Sequence, residues 1–275
     1  MIGWRSLPEV AGHDVEPPDA WGAALVTVAV AALTFGLISV GRSGWFQPRV
    51  VASLAIGATL IAAFVLHCLK ARNPLVEPGL FRNRNFASAF LGLAPFNVAF
   101  GALLLSLVLW EQGAWGWSAL KTGLVLAPGP LLVPMTSLFV TPRLLKTLGP
   151  SIVAAIGLCV FSAACAWLAL AVKIAPALPT ALCGAVLSGV GVGLTMPTLM
   201  GAAAGSLPRS AFSTGSGVLN MVRQIGMVFG VAALVALVGS ANLPTEQLAD
   251  FRLAWWVMAA GAMLGLAPCL LMPAK

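Results

Sequence analysis

Eight long apolar runs decide what this chain can fold into. They cover about residues 20–40, 50–69, 86–110, 122–142, 150–172, 179–200, 214–239 and 253–272. A bilayer core about 30 Å thick takes roughly 20 apolar residues per helix. Inside lipid every backbone N–H and C=O must be satisfied by the protein itself, so only helices and closed barrels span it. Barrel strands alternate apolar and polar residues, and these runs do not. The expectation is an all-α integral membrane protein with about eight transmembrane helices. Composition agrees: 60% of the residues are hydrophobic and 8% are charged, against about 25% charged in a soluble domain. That balance excludes an ordinary soluble enzyme, a disordered segment and a disulfide-built secreted module.

The net charge of +7 sits mostly in the short segments between runs, where basic residues set membrane orientation rather than bind nucleic acid. With the N-terminus placed inside, the inner segments carry Arg5, Lys70, Arg72, Arg82, Arg84, Arg143, Lys146, Arg209 and Lys275. The outer segments carry Arg42, Arg49, Lys173 and Arg252. The excess predicts a multi-pass protein of the cell membrane with both termini cytoplasmic. Residues 1–19 hold Glu9, Asp14, Glu16, Asp19 and three prolines, so they read as a polar lead-in and not as a signal peptide. Trp45, Trp110, Trp115, Trp117, Trp255 and Trp256 fall at outer ends, where an aromatic belt is expected. The five cysteines form no CxxC pair and the two histidines stand apart; no metal site or cofactor is indicated.

Polar residues inside the runs are few. Arg223 lies near the middle of the seventh, where a charged side chain needs water or a partner. Ser216, Asn220, Arg223, Gln224 and Met227 are spaced to share one helix face. That face is expected to line an aqueous cavity or a helix interface, with snorkelling of Arg223 as the alternative. Asn97 is expected to bond a neighbouring helix. Glu111 and Gln112 end the third run near the outer face, and Glu111 is expected to be a solvated loop carboxylate, with proton carriage in an antiporter as the alternative. Glycine pairs four apart, such as Gly189/Gly193 and Gly226/Gly230, predict close helix packing. Pro128, Pro130 and Pro134 predict a broken fourth helix. No HExxH, GxSxG, Walker loop or helix-opening GxGxxG is present, so no enzymatic apparatus is expected.

Four stretches carry a resemblance: LFRNRNF (80–86), WEQGAWGWSALKTGLVLAPG (110–129), LSGVGVGLTMPTL (187–199) and GSGVLNMVRQIGMVFGVA (215–232). Their order and spacing resemble the major facilitator superfamily, in its fourteen-helix drug:proton antiporter branch. The resemblance implies a cytoplasmic lead-in at 1–19, a central helix pair at 20–69, a basic cytoplasmic loop at 70–85, and a six-helix C-terminal half at 86–272. It implies no counterpart here to that family's first six helices. It implies proton-coupled efflux of hydrophobic or cationic drug-like compounds. Arg223, Gln224, Asn220, Ser216, Asn97, Gln112 and Glu111 become candidates for the substrate and proton pathway. Arg143, Lys146 and Gly149 become gating-loop candidates, although the segment TPRLLKTLGP (141–150) lacks the family's acid. The implied partners are the lipid bilayer, a small substrate, protons, and a second copy or a separate N-terminal half. The alternative is a non-transporting helix bundle, either a truncated remnant or a subunit or regulator of a split transporter.

Overall fold

The computed structural model describes residues 19–239 and 244–272, apart from the Arg42 and Ser210 side chains. Of the lead-in only Asp19 falls within the described residues; Arg5 and Lys275 lie outside them. Every regular element described is a helix.

Asp19 starts the first helix by accepting the Gly22 amide at 2.8 Å. Helix α1 (Ala20–Ser43) then runs to Gly44, whose φ of 81° ends it. Helix α2 (Pro48–Lys70) opens on a proline, which has no amide to lose there. The Asp19 carboxylate also meets His67 Nε2 at 3.0 Å and accepts the Leu75 amide at 3.0 Å. One acid therefore caps α1, holds the end of α2 and fixes the loop that follows. A 3₁₀ turn (Pro78–Arg82) leads to Asn83, which caps α3 (Arg84–Leu109). A π-helical turn, Trp110–Ala114, closes that helix.

The fourth run is broken, as its prolines require. It comprises α4 (Ala119–Leu126), α5 (Pro128–Met135) and a π turn, Thr136–Val140, which passes into α6 (Thr141–Ala171). Three prolines remove amides from the i→i−4 ladder, and the chain re-registers into the π turn just after the last of them. Thr141 ties this joint to the next helix, donating to the Gly193 carbonyl at 3.0 Å. Helices α7 (Leu178–Gly205), α8 (Phe212–Val238), α9 (Pro244–Leu264) and α10 (Leu266–Leu270) complete the described chain.

Seven helical stretches among the described residues are long and apolar enough to cross a membrane. One of them, Ala119–Ala171, has 53 residues, or about 80 Å at 1.5 Å per residue. Within it Gly149 leaves the helical region, at φ 77° and ψ 167°. The segment 141–148, expected as a loop, is helical up to that glycine. Nothing in TPRLLKTL after its proline opposes a helix, so the chain turns only at Gly149-Pro150.

Helix α3 is central, packed on α7, α8 and α9; α6 lies on α7 and α9; α1 pairs with α2 and touches α8. Phe96, Phe100 and Phe161 join α3 to α6, with ring centroids 5.0–6.3 Å apart. Two glycine pairs are contact faces. A methyl group on Gly230 would strike the Val98 carbonyl of α3, and one on Gly189 would strike the Gly129 carbonyl of α5. Gly201 and Gly205, which share the spacing, face open space.

The tryptophans differ from the belt expected of them. Trp110, Trp115, Trp117 and Trp255 are buried and stack with Phe251 as one cluster, with centroids 4.8–6.4 Å apart. Their apolar area is buried together at the bundle end, where two of the indole N–H groups find acceptors while the Trp110 Nε1 has none. Trp255 donates to Ser106 Oγ at 3.0 Å, and Trp115 donates to the Lys173 carbonyl at 2.9 Å. Trp45 and Trp256 stay exposed.

Candidate functional site

The candidate residues fall into three places. The first is α8. Its buried side is Gly215, Val218, Leu219, Val222, Gly226 and Gly230, which meets α3. The polar face lies to one side of that contact, with the Met227 backbone against Gly101 of α3. Asn220 and Gln224 are exposed, and Ser216, Arg223 and Met227 are half-buried. The helical period explains this: each polar position is offset by one or two residues from a packing position. Asn220 Nδ2 donates to the Ser216 carbonyl at 3.1 Å, which keeps the row in line along the helix. Arg223 lies about 16 Å from the start of α8, and its Nε is enclosed without a partner. A guanidinium at that depth is uncompensated by the described residues, so the face is suited to water, a polar ligand or a polar helix.

Asn97 lies beside this face but belongs to the interior. It is fully buried, and its Nδ2 donates to Leu93 O of its own helix at 2.7 Å. The expected bond to a neighbouring helix is not made, because Asn97 sits where Gly226 brings α8 close and offers no side chain. Its Oδ1 is left without a partner.

The second place is the bundle end where Trp110–Ser118 meets the loop after α6. Glu111 is 1% exposed, and so is not the solvated loop carboxylate expected of it, while Gln112 next to it is exposed. The third is the opposite end. Arg143 and Lys146 are exposed on the first turns of α6, and Arg143 Nη1 donates to the Phe139 carbonyl at 2.7 Å. Gly149 supplies the bend there. The structure thus gathers Ser216, Asn220, Arg223 and Gln224 on one face, and leaves the Glu111 pair and the α6 group at separate ends.

Two features were not found by reading the sequence. Thr122, 2% exposed and without a hydrogen-bond partner, stands beside the Glu111 carboxyl; its only sequence signal is a polar residue one turn after the Ser118 cap. Asp19 pairs with His67 across 48 residues of chain, a contact with no local pattern. An apolar groove of about 230 Å³ between α3, α8 and α9 is lined by Pro95, Ala99, Leu234 and Met258 and includes none of the candidates.

A bundle of apolar helices long enough to cross a membrane, with a polar row at mid-helix, defines the class. The relatives narrow it. The chain is 30% identical over 260 residues to a puromycin resistance protein from Streptomyces alboniger, covering 91% of this chain and 50% of that protein. It is 30% identical over 224 residues to a cephamycin export protein from Amycolatopsis lactamdurans, covering 81% and 46%. It is 28% identical over 233 residues to an uncharacterised MFS-type transporter from Bacillus subtilis, covering 84% and 43%. No protein-family profile matches the chain. The chain spans about half the length of these curated relatives. They support its membership of the major facilitator superfamily, as a multi-pass membrane protein.

Proposed function

We propose that this chain forms the central helix pair and the C-terminal six-helix half of a fourteen-helix efflux transporter. It would export hydrophobic or cationic drug-like compounds in exchange for protons. The 53-residue stretch Ala119–Ala171 then counts as two spans that turn at Gly149, which gives eight. The complementary half is supplied by a continuation of the chain, a separate subunit or a second copy. Both termini face the cytoplasm.

The polar face of α8 carries this reading. Asn220 and Gln224 are exposed and Arg223 is half-buried at mid-helix, on a side that hydrocarbon would penalise. A water-filled pathway between two halves satisfies these groups, and alternating access rocks one half against the other around such a midplane site. The names of the relatives, which concern puromycin resistance and cephamycin export, support a small organic substrate. Arg143 and Lys146, at the cytoplasmic turn before Gly149, act in gating.

The test is uptake of a fluorescent cationic dye into inverted vesicles that contain the chain, with Arg223→Ala as control. Uptake that collapses with the proton gradient, and falls at least tenfold in Arg223→Ala, is the expected result. Uptake indifferent to both would overturn the proposal.

A further inference from the structure

We propose that Glu111 is a proton-binding carboxyl in an occluded chamber roofed by the Trp115–Trp117 turn, and that it carries the coupling proton. The coupling role rests on the transporter reading above; the proton-binding site does not.

Burial carries the argument first. Glu111 is 1% exposed, and both its carboxyl oxygens are enclosed without a hydrogen-bond partner. The Thr122 hydroxyl beside it is equally enclosed and equally unpartnered. A carboxylate sealed away from water with no cation and a single neighbouring hydroxyl is strongly disfavoured. Binding a proton removes the charge, and the acid O–H gains an acceptor in Thr122 Oγ1 after a small side-chain rotation. A metal ion fits less well. Two carboxyl oxygens and one hydroxyl fall short of the oxygen set that a hard cation takes.

The surroundings supply no counter-charge. The charged residues on the segments that flank this turn are Lys121 on α4, Lys173 after α6, and Glu246, Asp250 and Arg252 on α9; Arg42 and Arg49 belong to α1 and α2. Lys121 Nζ lies 4.2 Å from the Trp117 ring centroid. Arg252 donates to the Val172 carbonyl at 3.1 Å. Neither Lys173 nor the two acids bonds the Glu111 carboxyl.

The roof is a compact turn joined to Glu111. Glu111 lies in the π turn Trp110–Ala114, a form of helix common at functional sites. The Trp117 amide donates to the Glu111 carbonyl at 3.0 Å, so the roof is tied to the residue it covers. Gly116 reverses the chain with φ 63°. Trp115 and Trp117 pack at 4.8 Å. Trp115 ties this roof to the bundle through its bond to Lys173 O and its packing on Trp110, and Trp117 through its contact with Lys121. Lifting this turn off the bundle would open Glu111 to water, where the proton leaves.

Infrared spectroscopy of the purified chain in lipid nanodiscs tests this without transport. At neutral pH the carbonyl stretch of a protonated carboxylic acid should be present in the parent and absent in the near-isosteric Glu111→Gln. Trp115→Ala, which loosens the roof, should lose the band at neutral pH while keeping its helix content. No difference between parent and Glu111→Gln would overturn the proposal. So would a parent band abolished by sodium at constant pH, which would make this a metal-ion site. A band that is present while vesicles show no uptake would uphold the site and sink the transporter reading. Gradient-driven uptake that survives unchanged in Glu111→Gln would overturn the coupling role.

Discussion

Gly230→Ala tests the packing that positions α8. A methyl group at this position would collide with the Val98 carbonyl oxygen and would lie 2.8 Å from the Ala102 nitrogen. Both are backbone atoms of α3, so no rotamer change relieves the clash; the helices must separate. Gly217, on the same helix, has nothing within 4 Å of an added methyl group. Alanine gains about 1 kcal/mol of helix propensity at either position. Overpacking costs about 1–3 kcal/mol and applies only at Gly230. Gly230→Ala should therefore be about 1–3 kcal/mol less stable than Gly217→Ala, a factor of roughly 5 to 150 in the unfolding equilibrium. Reversible unfolding in mixed micelles of rising dodecyl sulfate content, followed by circular dichroism, reads this difference. Equal stabilities would refute the α3–α8 approach and the outward placement of the polar row that depends on it.

Asp19→Ala should cost about 1–2 kcal/mol at neutral pH through loss of the α1 cap. The Gly22 amide chiefly holds the Asp19 carboxyl below its ordinary value, helped by the Leu75 amide and His67, while burial opposes them. Its contribution is therefore whole above about pH 4 and lost as pH falls through the lowered value. The gap between parent and variant should close in acid, and a gap that persists to about pH 2 would contradict the pairing. Trp255→Phe should cost about 1 kcal/mol by removing the buried bond to Ser106. Adding Ser106→Ala to it should cost less than Ser106→Ala alone, which a double-mutant cycle in the same micelles would show. Gly149→Ala should cost about 1–2 kcal/mol, because φ 77° is unfavourable for any residue with a Cβ. Gly205→Ala, with open space around it, should be near neutral in the same titration.

The membrane-spanning stretches were legible in the sequence because hydrocarbon imposes one rule on length and polarity, and the apolar runs obey it. The polar row of α8 was legible for a similar reason: helical period alone puts Ser216, Asn220 and Arg223 on one side. What was not legible depends on distant partners. The tryptophans have the composition of an interfacial belt, but four of them bury, because α3, α9 and the Trp115 turn converge at one end. Asp19 read as one more acid of the lead-in and His67 as a histidine standing apart, and only the antiparallel packing of α1 and α2 joins them. Asn97 was expected to bond across helices, yet its neighbour there is Gly226. Thr122 drew no notice because its meaning comes from Glu111 on the other side of a turn.

The most direct measurement of the central claim is water access along α8. With the five native cysteines replaced by alanine, single cysteines at 216, 220, 224 and, as a buried control, 222 would be exposed in vesicles to a membrane-impermeant thiol reagent. The account predicts labelling at 216, 220 and 224, protection of those positions by a transported dye, and no labelling at Val222→Cys. Labelling confined to the helix ends, with positions 220 and 224 inert and dye without effect, would contradict a polar pathway along this face.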